Sequence, residues 1–162
     1  MSRRTIMAKN QLNLANVQIG FRNFEGREGT YNEKGDRSFV IFLDNKTATD
    51  LEMDGWNIKW PKARPDISDE EDSRQPFLKV SVSFDYYPAK VYLIKETGAE
   101  EPNIEQMYED SVKDLDWAEL SNVDLVIRPY EWTVNYKSGT KAYLKAGYFT
   151  LIEDNFGRKY GV

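Results

Sequence analysis

The sequence contains neither cysteine nor histidine among its 162 residues. Without cysteine the chain forms no disulfide, no zinc site with thiolate ligands and no thiol nucleophile. The lack of histidine removes the commonest general base, the commonest ligand for transition metals and every serine–histidine triad. These absences argue against an enzyme, and we expect a binding protein with no catalytic residues, no metal site and no cofactor.

Long hydrophobic runs are also lacking. No stretch of about 18 apolar residues is present, so the sequence predicts no transmembrane helix and no membrane partner. The basic residues at the start are not followed by an apolar segment, unlike a secretory signal. Apolar residues make up 40% and charged residues 30% of the chain, which is typical of a globular domain. We expect one domain over residues 11–153, between flexible tails at 1–10 and 154–162.

The net charge of −5 argues at first against a nucleic-acid partner. The acidic residues are clustered, however: five lie within residues 66–72, and nine lie within residues 96–119 beside a single lysine. Outside these two segments, 21 basic residues face 13 acidic ones. Residues 61–75, which carry the first cluster, are predicted to form a mobile acidic loop. A separate basic surface is therefore expected.

Alternation of apolar and polar residues predicts strands at 11–21, 37–43, 56–60, 77–84, 91–94, 123–134 and 141–152. A short helix is expected after Asp44, ending at Gly55, and a second helical stretch at residues 103–117. A hairpin turn is expected at residues 135–140. The pattern indicates an all-β fold with one or two short helices, best fitted by an OB-fold-like, five-stranded antiparallel barrel.

The final hairpin carries the strongest functional signal. Alternation places Val123, Leu125 and Ile127 on a core side and leaves a mixed aromatic and basic set on the other. Aromatic rings stack on bases for about 1–3 kcal/mol each, and cations meet phosphates, so this face is predicted to bind single-stranded nucleic acid. The predicted contact residues are Arg128, Tyr130, Trp132, Lys141, Tyr143 and Lys145. Candidate extensions are Trp56, Lys59, Trp60, Arg22 and Phe24.

A structural interpretation of the same aromatics remains open. Aromatic residues at a period of two more often belong to a core, because each ring buries a large area. Tryptophans in the positions of Trp56 and Trp60 more often lie in a core than on a binding surface. For the hairpin aromatics the interleaved cations favour exposure.

Several segments resemble a family of small bacteriophage single-stranded DNA-binding proteins. The resemblance covers about residues 16–152 and is carried by residues 55–60 (GWNIKW), 77–82 (FLKVSV), 115–119 (LDWAE), 122–132 (NVDLVIRPYEW) and 137–145 (KSGTKAYLK). It implies an OB fold and largely sequence-independent binding of single-stranded DNA in phage replication or recombination. The resemblance also implies that the protein acts in the cytoplasm of the infected bacterium, with phage replication or recombination proteins as further partners. Both a monomer and a homodimer are compatible with it. The chain departs from many such proteins because its last residues are not acidic.

Two other functions fit parts of the sequence. A phage accessory protein could use the acidic segments as a nucleic-acid mimic to bind or inhibit a host protein. A metal-dependent nuclease using only carboxylates is the third hypothesis, although residues 66–72 lack the glycine and the spacing of a calcium loop.

Overall fold

The computed structural model describes residues 10–68, 72–96 and 101–152. Residues 1–9 of the predicted N-terminal tail and all of the predicted C-terminal tail lie outside the described residues. Asp69, Glu70 and Glu71 of the predicted acidic loop lie outside them as well.

Strands dominate the described part of the chain, as the sequence predicted. The elements are β1 (Leu12–Leu14), β2 (Gln18–Asn23), β3 (Arg37–Phe42), α1 (Asn45–Met53), β4 (Ile58–Lys59), β5 (Phe77–Val82), β6 (Lys90–Lys95), β7 (Asn103–Met107), a 3-10 turn (Val112–Asp116), β8 (Leu120–Val134) and β9 (Lys137–Leu151). The helix after Asp44 is confirmed. Within the described ranges, no helix has the length and hydropathy needed to cross a membrane.

The strands form one open, mixed sheet in the order β1-β8-β9-β5-β3-β2, with β4 paired to β5 and the β6–β7 hairpin attached to β9. Among the residues that the structure describes, the sheet therefore has nine strands rather than five, and the β5–β9 and β6–β9 pairs are parallel. Two features of the chain explain the difference. The first predicted strand is broken at Asn16, which has a positive φ of 49°. In addition, the 15-residue β9 is long enough to pair with β5 and then β6 along one edge.

The predicted helix at residues 103–117 is wrong. Residues 103–107 form β7, and Met107 pairs with Val91 of β6. Val112 and Leu115 belong to a short 3-10 turn, not to an α-helix, and both side chains are buried. The spacing of these apolar residues fits a helix, but pairing with the free edge of β6 satisfies the backbone of residues 103–107 in another way.

The core lies on the inner face of the sheet. Val123, Leu125 and Ile127 of β8, predicted to lie on the core side, are buried, and so are Leu78, Val80 and Val82 of β5. An aromatic group completes this core, with ring centroids 5.2 Å apart for Phe24 and Phe39 and 5.7 Å apart for Phe24 and Phe149. The other face of the sheet carries the residues of the candidate site.

Candidate nucleic-acid interface

The β8–β9 hairpin brings most of the predicted contact residues onto one face. Across the ladder, Arg128 lies opposite Tyr143, and Tyr130 lies opposite Lys141. Residues directly opposite each other in an antiparallel pair project on the same side of the sheet. The intervening residues Ile127, Ala142 and Leu144 are buried on the inner side. We call the outward set the aromatic–basic face; it consists of Arg128, Tyr130, Trp132, Lys141 and Tyr143.

Tyr143 is the centre of this face. Its ring centroid lies 5.0 Å from Lys141 Nζ and 5.1 Å from Arg128 Cζ. The ring of Tyr130 meets it edge-on, with centroids 6.0 Å apart and an interplanar angle of 89°. Cations at these distances are attracted by the ring quadrupole, which orients the side chains while the charges remain near the surface. The cluster thus offers ring surfaces for bases and positive charges for phosphates.

Tyr87 joins the face from the loop after β5. The guanidinium of Arg128 lies 5.1 Å from the Tyr87 ring as well as 5.1 Å from the Tyr143 ring. Tyr87 is 73% exposed. Residues in a loop show no alternation of apolar and polar side chains, so the sequence around Tyr87 does not indicate which strand its ring contacts.

Trp132 occupies the outer end of the face. It lies opposite Gly139 on β9, and a Cβ atom at residue 139 would be 2.8 Å from Trp132 Cζ2. Glycine at this position therefore lets the indole ring lie against the neighbouring strand. The ring remains 38% exposed.

Lys145 lies at a β-bulge rather than in a regular register. Val126 pairs with Ala146 and Ile127 with Leu144, so Lys145 is the extra residue between them. Its Nζ donates a hydrogen bond of 3.0 Å to Gln11 Oε1, beside β1. The bulge shifts the alternation, and for this reason Ala146 is half-buried instead of belonging to the core.

The same outer face continues across β5. Ser81 lies opposite Tyr143 in the parallel β5–β9 pair, and alternation then places Lys79 and Phe77 on that side. Lys59 of β4 lies opposite Phe77, so the predicted residue Lys59 shares the face. Lys79 was not predicted as a contact residue, although its outward position in β5 was a signal that could have identified it.

An exposed aromatic group lies at the far end of this surface. The ring of Phe21 is 5.9 Å from that of Phe42 and 5.8 Å from that of Phe77. Phe21 is 71% exposed. Contact among these three rings could not be read from the sequence, because they come from different strands.

Two predicted contact residues belong to the core. Trp56 is only 2% exposed, since alternation with the buried Ile58 turns it inward and its backbone bridges to Thr140. Phe24 is fully buried between Phe39 and Phe149. Phe24 as a contact residue is therefore wrong, and for Trp56 the core position that the sequence analysis favoured over a contact with nucleic acid is the observed one.

Trp60 and Arg22 make contacts within the fold. Trp60 is 40% exposed, and its Nε1 donates a hydrogen bond of 2.8 Å to Glu52 Oε2 of α1. Arg22 Nη1 donates to the carbonyl oxygens of Leu115 and Ala118, at 3.0 and 2.6 Å. This nitrogen of Arg22 is engaged with the backbone around the 3-10 turn. A nucleic-acid contact by either residue stays a prediction.

The charge of the acidic loop is partly paired. Arg74 Nε donates to Asp72 Oδ1 at 2.9 Å, and hydrogen bonds from the side chain and the backbone of Arg74 lower the pKa of Asp72 to about 2. Asp72 and Arg74 thus form an ion pair within the loop. In the described part of the chain, no group of three or more metal-ligating side chains is placed to hold an ion.

Comparisons with known proteins identify the family and the fold. The family model described as "Putative phage ssDNA-binding domain" matches residues 1–162. The single-stranded DNA-binding protein of bacteriophage Enc34, in a C-terminally truncated form, has a similar structure with a TM-score of 0.54 and 12% identity, covering 89% of this chain and 87% of that one. A structure of the Enc34 protein in complex with single-stranded DNA gives a TM-score of 0.51 and 14% identity, covering 91% and 89%. No curated protein matches. At these identities the likeness concerns the fold, and it confirms the OB-fold-like architecture.

Proposed function

Because the chain belongs to the family of phage single-stranded DNA-binding domains, we propose that it binds single-stranded DNA on the aromatic–basic face. The cluster around Tyr143 carries this proposal, with Lys141 and Arg128 within about 5 Å of one ring. The Enc34 protein of similar fold, solved with single-stranded DNA, supports it further.

Binding follows from stacking and charge. Bases of a single strand are free to lie on the exposed rings of Tyr130 and Trp132 and on the accessible part of the half-buried Tyr143, whereas bases of a duplex are already stacked and paired. Lys141 and Arg128 meet the phosphates on either side of a stacked base. Every base has a π-face, so the interaction is largely independent of sequence.

The binding is proposed to be non-catalytic. The absence of histidine and cysteine from the chain supports this, because the usual general base and thiol nucleophile are missing. The proposed setting is phage DNA replication or recombination in the cytoplasm of the infected bacterium, together with other proteins of those processes. Incubation of single- and double-stranded DNA with the protein and Mg²⁺ or Mn²⁺ should leave both substrates intact.

The direct test is to titrate the protein into a fluorescently labelled oligo-dT of about 20 nucleotides at low salt and to monitor binding by the fluorescence anisotropy of the label. We expect tight binding of the single strand and much weaker binding of a duplex of equal length. Replacement of Tyr143 by alanine should weaken binding of the single strand by about 5- to 150-fold, the equivalent of one lost stacking contact. Circular dichroism would show that the variant is folded.

Trp117→Ala is the matched control. Trp117 is 78% exposed and lies against Arg27, outside the aromatic–basic face. This variant should bind oligo-dT as the wild type does. Equal losses in the two variants, or no binding of oligo-dT by the wild type, would contradict the proposal.

A further inference from the structure

A groove of about 550 Å³ lies beside the aromatic–basic face. Tyr143, Lys141 and Trp132 line one side of it, and residues of β3 and β5 line the other. Its volume falls within the range of about 300–1,000 Å³ that is usual for small-ligand pockets.

Two serines explain why the sheet is depressed here. Ser38 of β3 lies opposite Ser81 of β5, and Ser81 lies opposite Tyr143 of β9. Small side chains at adjacent outward positions leave a gap next to the bulky ring of Tyr143. We call this gap, with its lining residues, the Ser38–Ser81 groove.

The lining offers hydrogen-bonding groups of both kinds. The hydroxyls of Ser38 and Ser81 and the amide of Asn57 can donate and accept. Asp36, Asp85 and Glu109 add carboxylates, which are acceptors at neutral pH. Arg37, Lys79 and Lys141 line the same groove, so three cations balance these three carboxylates, and the carboxylates act there as hydrogen-bond acceptors for a base.

Arg37 is fixed in the wall of the groove. Its Nη1 lies 3.5 Å from Glu109 Oε1 and 3.5 Å from the carbonyl oxygen of Gly35. Its guanidinium is 5.8 Å from the ring centroid of Phe84. Glu109 is thereby held at the groove by an ion pair, while its own side chain is 65% exposed and accessible to a ligand.

We propose that the Ser38–Ser81 groove receives one unstacked nucleobase beside Tyr143 and favours a base with an exocyclic amino group. Carboxylates accept hydrogen bonds from the amino group of cytosine, whereas uracil and thymine carry a carbonyl oxygen at that position. The inference rests on the proposed binding of single-stranded DNA. It adds one position with a base preference to a face that is otherwise tolerant of sequence.

The test compares oligo-dC with oligo-dU of equal length at pH 8, because the two bases differ only along the edge formed by position 4 and N3. Cytosine has an amino group at position 4 and an unprotonated N3, whereas uracil has a carbonyl oxygen and an N3–H. We expect the wild type to bind oligo-dC about fivefold more tightly, the effect of about one net hydrogen bond. Ser81→Val, which fills the depression, and Glu109→Gln, which removes an acceptor charge at an exposed site, should each bring the ratio close to one. Circular dichroism would verify that both variants fold.

Thr49→Ala, on α1 and outside the groove, is the control and should keep the wild-type ratio. Equal affinities of the wild type for the two oligonucleotides would overturn the inference and leave the proposed function intact. A preference that persists in both groove variants would also overturn it. Failure to bind either oligonucleotide would refute the proposed function and the inference together.

Discussion

Two tryptophans illustrate how different the environments of similar side chains are in this fold. Trp56 is 2% exposed and belongs to the core, whereas Trp132 is 38% exposed at the end of the aromatic–basic face. Replacing Trp56 by alanine should lower the free energy of unfolding by about 3–5 kcal/mol, because the substitution leaves a large cavity. Urea denaturation followed by circular dichroism measures this change.

Trp132→Ala should weaken DNA binding and leave the stability of the fold nearly unchanged. The free energy of unfolding should change by no more than about 1 kcal/mol, since the ring borders solvent. The affinity for oligo-dT should fall by about 5- to 150-fold through the loss of one stacking surface. Unfolding of the Trp132 variant, or full stability of the Trp56 variant, would show that the two roles are assigned wrongly.

Asp44 gives the protein a stability contribution that depends on pH. Its carboxylate caps α1 by accepting a hydrogen bond of 2.7 Å from the Thr47 backbone N–H. This bond, with smaller contributions from the Thr47 side chain and Lys46, lowers the pKa of Asp44 below its ordinary value. A lowered pKa means that the stabilisation is complete above the unfolded-state pKa of about 3.9 and is lost as the pH falls through the folded-state value.

The variant Asp44→Asn isolates this effect, because asparagine also caps helices but does not titrate. Urea midpoints of both proteins should be compared between pH 7 and pH 3. We expect the wild type to lose stability relative to the variant on acidification. A difference between the two proteins that stays constant with pH would contradict the assignment.

At the level of single elements, Gly139 controls the position of Trp132. A Cβ atom at residue 139 would lie 2.8 to 3.1 Å from three atoms of the indole ring. Because Trp132 lies on an exposed part of the hairpin, the ring can move away at little cost to the fold. Gly139→Ala should therefore leave the melting temperature nearly unchanged and weaken binding of oligo-dT, though less than Trp132→Ala does.

The double variant Gly139→Ala/Trp132→Ala tests whether residue 139 affects the affinity for oligo-dT through the indole ring. With the indole removed, the added methyl group has nothing to displace, so the double variant should bind as the single Trp132 variant does. An independent loss of affinity in the double variant would mean that Gly139 acts through the backbone instead.

The elements that the sequence predicted well are those determined by local pairing. The β8–β9 hairpin is long, and its alternation fixes the side of Arg128, Tyr130 and Tyr143 without knowledge of other strands. In contrast, residues 56–60 alternate, but both Trp56 and Ile58 on one side and Trp60 at the end are apolar, and the β4 strand itself has only two residues, so the sequence alone did not settle the side of Trp56. Residues 103–107 were predicted as helical because their strand partner, β6, is visible only in the tertiary structure.

At the scale of the whole molecule, the unpredicted features are the contacts between distant segments. The parallel pairing of β5 with β9 brings Lys79 and Ser81 beside Tyr143, more than 60 residues away in the chain. Parallel neighbours need a long connection and have no turn signal in the sequence. For this reason the fold class and the centre of the site were predictable, whereas the groove and the extension over β5 were not.

The overall charge of −5 does not prevent binding of a polyanion, because cations are concentrated on one face. Arg128, Lys141, Lys79 and Lys59 all project on the outer side of the sheet. Each phosphate neutralised on a single strand contributes about −0.7 to the slope of log K against log salt. If all four cations meet phosphates, the slope for oligo-dT should be about −3.

Lys79→Ala tests the extension of the site over β5, which the hairpin alone does not require. Removal of one phosphate contact should make the slope shallower by about 0.7 and weaken binding at low salt more than at high salt. Lys46→Ala is the matched control, since Lys46 is exposed on α1 and paired with Asp50 at 3.2 Å. Its slope should equal that of the wild type. An unchanged slope for Lys79→Ala would show that Lys79 contacts no phosphate. An equal change of slope in both lysine variants would show that the effect comes from the loss of one positive charge and not from a contact at β5.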